Sequence, residues 1–130
     1  MADFSAVLAD LRAESEDLDA IVSGLPEAAW ATQTPSAPWT IAHQIGHLAW
    51  TDEIATLAAT DPDAFLADLQ RNLPQLDTFV DLAAAERAVQ PPTALLAAWR
   101  AGRVTLAAAL AETPPDTKII WFGPPMSPTS

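Results

Sequence analysis

Cysteine is absent from the 130 residues. That excludes a disulfide framework and a thiolate metal site, and any nucleophilic thiol acting here has to come from a cofactor. Basic residues are scarce: six Lys and Arg stand against seventeen Asp and Glu, for a formal net charge of −11. With no cationic stripe to neutralise phosphates, a nucleic-acid partner is excluded, and an anionic membrane surface is disfavoured for the same reason. No apolar run reaches the roughly 18 residues of a membrane span. The N-terminus shows no basic region followed by an apolar stretch, so no signal peptide is visible. These absences predict a soluble, cytoplasmic chain.

What is present favours helix. Half the residues are apolar, enough for a compact core in one domain, residues 1–130. Alanine dominates and β-branched residues are scattered, which favours helix over sheet. From Asp3, a plausible N-cap, Phe4, Val7, Leu8, Leu11, Leu18, Ile21 and Val22 recur at helical steps up to a stop at Gly24. The acidic run Glu14, Glu16, Asp17 and Asp19 reads as a solvated face. Leu25 to Pro38 is a connection in which Pro26–Trp30 can form one turn with Trp30 as a plug. Asp61-Pro62 starts a short helix carrying Phe65, Leu66 and Leu69. After Pro74 a further helix over about Gln75–Val89 packs Leu76, Phe79, Val80 and Ala83. The last helix, about Thr93–Glu112, buries Leu95, Leu96, Trp99, Leu106 and Leu110. Gly102 in its interior costs about 1 kcal/mol relative to Ala, and close packing against a neighbour is its expected reason.

The remaining helix, capped by Thr40 and running to about Ala59, organises the chain. It carries the only two histidines, His43 and His47. Four residues apart, they lie roughly 40° from each other around the helix axis, on the side of Trp50, Ile54 and Leu57. Ile41, Ile45 and Leu48 lie opposite, so the helix is apolar nearly all round and belongs inside a bundle. Imidazole is the commonest side-chain metal ligand, and the i, i+4 spacing suits two ligands on one helix. The same spacing also fits two hydrogen-bonded helix histidines, and the pattern alone does not decide between them.

Arg100 and Arg103, three residues apart on the last helix, are candidates to grip an acidic substrate. The competing role is pairing with surface carboxylates. The tail from Lys118 to Ser130 is apolar and rich in proline, and reads as an extended arm laying Trp121 and Phe122 on the bundle.

Three blocks, WTIAHQIGHLAWTDE (39–53), LLAAWRAGR (95–103) and WFGPPMS (121–127), resemble the actinobacterial metal-binding proteins related to mycothiol-dependent maleylpyruvate isomerase, within the DinB-like superfamily. The resemblance covers nearly the whole chain. It implies an all-α, DinB-like four-helix bundle with a divalent metal, zinc foremost, near one end. His47 is the implied ligand, with His43 as a further ligand, a neighbour of the ligands, or simply buried. The remaining ligands, a Glu and a His, would come from a last long helix.

That helix is absent after Ser130. A catalytic zinc takes three protein ligands plus water, and two at most are visible here. Asp52 and Glu53 point away from His47 on the helical wheel. The chain is therefore expected to be either the N-terminal part of a longer metal-binding domain or a truncation that has lost the metal. The face bearing His43, His47 and Trp50 would lie open, favouring association, with a homodimer as its simplest form. Two functions follow. In the first, the intact protein is a thiol-dependent isomerase or transferase: a metal activates mycothiol or a similar small thiol, which attacks an electrophilic substrate. In the second, the chain is a non-catalytic helical interaction or dimerisation module without metal.

Overall fold

Asp3 opens the first helix, α1 (Phe4–Val22), its carboxylate accepting the Ser5 N–H at 3.1 Å. The computed structural model describes residues 3–130. A 3-10 turn, Glu27–Ala31, leads through an irregular connection to α2 (Ile41–Thr60). Then come α3 (Pro62–Asn72), a 3-10 turn at Leu73–Gln75, α4 (Phe79–Ala88) and α5 (Pro92–Glu112). The architecture is all-α, as expected: α2 is the central element, packed most extensively on α5 and α4, and α1 reaches the rest chiefly through α5.

Starts and stops follow local chemistry. Asp61 caps α3 by accepting the Ala64 N–H at 3.2 Å, and Pro62 occupies the first turn, where its missing N–H costs nothing. The helix expected from Gln75 begins instead at Phe79. Pro74 sits in the 3-10 turn, and the Thr78 N–H closes a tight bond to the Gln75 carbonyl before α4 starts. Leu76 is left exposed by that turn.

Two apolar clusters hold the bundle. The first joins Val22, Trp30, Ala42, Ile45, Ala49, Leu95 and Trp99 across α1, α2 and α5. Trp30 is the expected plug, buried from its 3-10 turn. The second gathers Ile54, Ala58 and Phe65, over which Trp50, Ile119, Ile120, Trp121 and Phe122 pack. Complete burial of Phe65, Ile45 and Leu95 contributes about 1.5–3 kcal/mol each. The tail does lay Trp121 and Phe122 on the bundle, but it doubles back rather than running extended. Ile119 and Met126 exchange backbone hydrogen bonds of 2.7 and 2.8 Å around Gly123-Pro124-Pro125.

Several expectations are corrected. Ile21, placed on the apolar stripe of α1, is 65% exposed, because only Asp19 and Val22 of that helix are buried. Asp19, assigned to a solvated face, is the one buried charged residue among those described. Gly102 has open space around it rather than a neighbour; Gly46 is the glycine that permits a close approach. Of the face bearing His43, His47 and Trp50, the Trp50 end is covered in part, by Phe79 of α4 and Phe122 of the tail, and all three residues are half-buried. Finally, α5 is long and apolar enough to cross a membrane by length and composition. In this fold it packs along α2 and carries Arg100 and Arg103, both paired with α1.

Candidate functional site

His43 and His47 share a face of α2 but have different surroundings. His43 is the third residue of the helix and closes a capping box with Thr40. Its Nδ1 accepts the Thr40 N–H at 3.2 Å and lies 2.8 Å from the Thr40 hydroxyl, which in turn accepts the His43 N–H. A nitrogen that accepts from a backbone N–H carries no proton, so the neutral ring holds its proton on Nε2. The ring faces a hollow lined by Glu27, Trp30, Ala85 and Ala88.

His47, one turn on, sits between two indoles. Its ring centroid lies 5.1 Å from that of Trp39 and 6.1 Å from that of Trp50. Its Nδ1 is buried and meets no hydrogen-bond partner. Burial lowers the His47 pKa below the ordinary histidine value, with the charge of Asp81 opposing in part. The neutral imidazole therefore persists to lower pH than in a free histidine, and neutral imidazole is the form that binds a metal.

The position of Trp39 is fixed from both ends. Its carbonyl accepts from the Thr34 N–H at 2.9 Å, the Thr34 hydroxyl at 2.7 Å and Gln33 Nε2 at 2.8 Å. Its indole N–H donates to Asp81 of α4 at 2.9 Å. Trp50 is pinned by Phe79 and Phe122, at centroid distances of 5.7 and 6.2 Å. Trp39 and Trp50 thus touch one imidazole of α2, and α4 and the tail hold those two indoles in place. Trp39 opens the first block of the resemblance without a role attached to it, and Asp81 carries no signal in the sequence; both gain their place through contacts across the fold.

A metal implied by the resemblance needs several donors. His47 Nδ1, buried and unpaired, fits as one of them. Among the described residues no group of three His, Asp or Glu side chains converges. His43 is less suited. Coordination through Nε2 would move the ring proton to Nδ1 and cost the bond that caps α2. Asp52 and Glu53 do face elsewhere: Glu53 pairs with Arg87 of α4, and Asp52 lines a hollow beside α1.

Arg100 and Arg103, the candidate substrate anchors, both turn to Asp19. Arg100 donates through Nε and Nη2 at 2.8 and 2.7 Å, and Arg103 through Nη2 at 2.7 Å. Arg103 also donates to the Ser15 carbonyl and lies 4.4 Å above the ring of Trp99. Arg100 leads the two arginines in holding the Asp19 carboxyl down to about 2, against the raising effect of burial.

A family model described as mycothiol maleylpyruvate isomerase N-terminal domain matches residues 11–130. Two uncharacterized proteins of Mycobacterium tuberculosis, from strains CDC 1551/Oshkosh and H37Rv, are each 49% identical over 130 residues, covering 100% of this chain and 51% of their own. The chain spans about half the length of the curated relatives it matches. Among solved structures, a histidine-to-alanine mutant of the mycothiol-dependent maleylpyruvate isomerase superposes with a TM-score of 0.76 at 14% identity, over 98% of this chain and 54% of that one. At that identity the likeness speaks to the fold, which is the expected helical bundle.

Proposed function

The chain belongs to the mycothiol maleylpyruvate isomerase N-terminal domain family, and from that premise we propose that it contributes one metal ligand, His47, to a thiol-dependent isomerase or transferase. The observation that carries this reading is the buried, unpaired Nδ1 of His47. A buried polar atom left unpaired costs about 1–3 kcal/mol, and a metal ion would recover that cost. In this reading the other ligands lie outside these 130 residues, in a protein spanning the length of its relatives. The chemistry a divalent ion supplies, zinc foremost, is acidification of a coordinated thiol toward thiolate. The thiol is mycothiol or a similar small thiol, in keeping with the absence of cysteine.

This chain's own residues prepare the ligand. Trp39 and Trp50 pack at a tilt against the imidazole, whose Nδ1 is buried. Burial keeps His47 neutral and ready to donate its lone pair. His43 keeps α2 capped four residues before it. Arg100, whose side chain is 48% exposed, remains the better candidate of the two arginines for a substrate carboxylate. Arg103 is engaged by Asp19, Ser15 and Trp99.

The test is metal content and affinity, by elemental analysis and competition titration, on this chain and on a protein spanning the relatives' length. Each is compared with its His47→Ala variant. The expected result is weak zinc binding by the chain, tight stoichiometric binding by the longer protein, and a loss of at least about tenfold in affinity for the variant. Full metal content in a folded His47→Ala protein would sink the assignment.

A further inference from the structure

Between α1, α2 and α5 lies a hollow of about 310 Å³, at the lower end of the range for small-molecule sites. Leu11 of α1 and Val104, Leu106 and Ala107 of α5 form apolar walls. Val104 is 68% exposed, so the hollow is open to solvent. A single carboxylate enters from α2, that of Asp52. The ion pairs among the described residues engage Asp68, Glu53 and Asp19, and none engages Asp52.

Charges of both signs surround Asp52. Arg12 and Glu16 face it from α1, Arg103 faces it from α5, and Glu53 neighbours it on its own helix. Arg103 acts on Asp52 more strongly than Glu53 does, yet none of the four forms an ion pair with it. Arg103 is already engaged: it donates to Asp19 and to the Ser15 carbonyl and stacks on Trp99. Burial pushes the Asp52 carboxyl up to about 6, even with Arg103 opposing. The ionised form is therefore held at a cost that a bound cation would offset.

We propose that this hollow binds a small primary alkylammonium, its charge on Asp52 and its aliphatic stem along Leu11, Val104, Leu106 and Ala107. An anion finds no unengaged buried cation there, and a chain of net charge −11 concentrates cations at its surface. The site shares no residue with the His47 surroundings, so its test stands apart from the metal assignment.

The experiment is an NMR titration of the chain with n-butylammonium, with butyrate and plain ammonium as control probes. The expected result is saturable shifts at Leu11, Asp52 and Val104 with n-butylammonium alone, and at least about tenfold weaker binding to Asp52→Asn. Where the variant's spectrum is not native, the wild-type pH series decides. With the carboxyl at about 6, lowering the pH from about 7.5 to about 5 removes most of the negative charge and weakens binding about tenfold. Shifts that never saturate, equal binding of butyrate, or an affinity indifferent both to pH and to a folded Asp52→Asn would overturn the proposal.

Discussion

Where α2 meets α4, a methyl group on Gly46 would lie 3.0 Å from the Ala84 carbonyl oxygen and 3.0 Å from the Arg87 Cβ. Where α2 faces α1, a hollow of about 310 Å³ separates them. The two sides of one helix are held by different means. Toward α4, backbones approach through glycine and alanine, and Arg87 and Glu53 pair across the crossing. Toward α1, apolar packing is gathered at the Val22 end of that helix, and beyond it α1 is fastened to α5, by Asp19 with Arg100 and Arg103. Long polar side chains bridge a gap that small apolar ones would close. A side fastened in this way can keep an unpaired carboxylate and still belong to a folded bundle.

The sharpest way to break this contrast is Asp19→Ala. It leaves two guanidinium groups without their shared acceptor and is expected to cost about 3 kcal/mol in urea unfolding. The pH dependence has a definite sign. Asp19 is held at about 2, below the 3.8 of a free aspartate, so its contribution is complete above about 3.8 and is lost as pH falls toward 2. An acid-unfolding midpoint identical in wild type and variant would show that the clamp does not fasten α1.

Gly46→Ala probes the closed side. Overpacking against a backbone carbonyl costs about 1–3 kcal/mol, and the gain of up to about 1 kcal/mol in helix propensity offsets part of it. A net loss of about 1 kcal/mol or more in thermal unfolding is expected, and a more stable variant would mean that the crossing is looser than described. The smallest effect completes the comparison. Gly102→Ala makes the same chemical change on α5, where nothing lies within 4 Å of the new methyl. It should stabilise by about 0.5–1 kcal/mol, and the opposite signs of the two substitutions are the diagnostic result.

Local features were legible in the sequence, and features needing a distant partner were not. The caps at Asp3, Thr40 and Asp61 were readable because side chain and backbone lie within three residues. Trp30 as a plug was readable because a tryptophan in a short polar connection has few other places to go. The burial of Asp19 was not, since its two partners lie 81 and 84 residues away. An acidic run looks solvated until a pair of arginines is brought to it. The divergence of His43 from His47 is half visible: Thr40 reads as a cap and His43 as a ligand, a neighbour of the ligands or a buried residue, but nothing in the spacing marks it as the residue that completes the capping box. At the candidate site, the indole of Trp39 and the carboxylate of Asp81 that holds it belong to elements 42 residues apart. The resemblance supplied His47, and the fold supplied its neighbours.

Trp50 is in contact with both His47 and Phe122, and Phe122 belongs to the tail that closes over the second apolar cluster. On the proposed role of His47 as a ligand, one side chain touches both the ligand and the tail. Free energy linkage is reciprocal. If binding at His47 favours one rotamer of Trp50, and that rotamer favours the seated tail, then a seated tail strengthens binding at His47 by the same factor. On those terms a stretch of chain more than seventy positions from His47 in the sequence would set its affinity without touching the ligand.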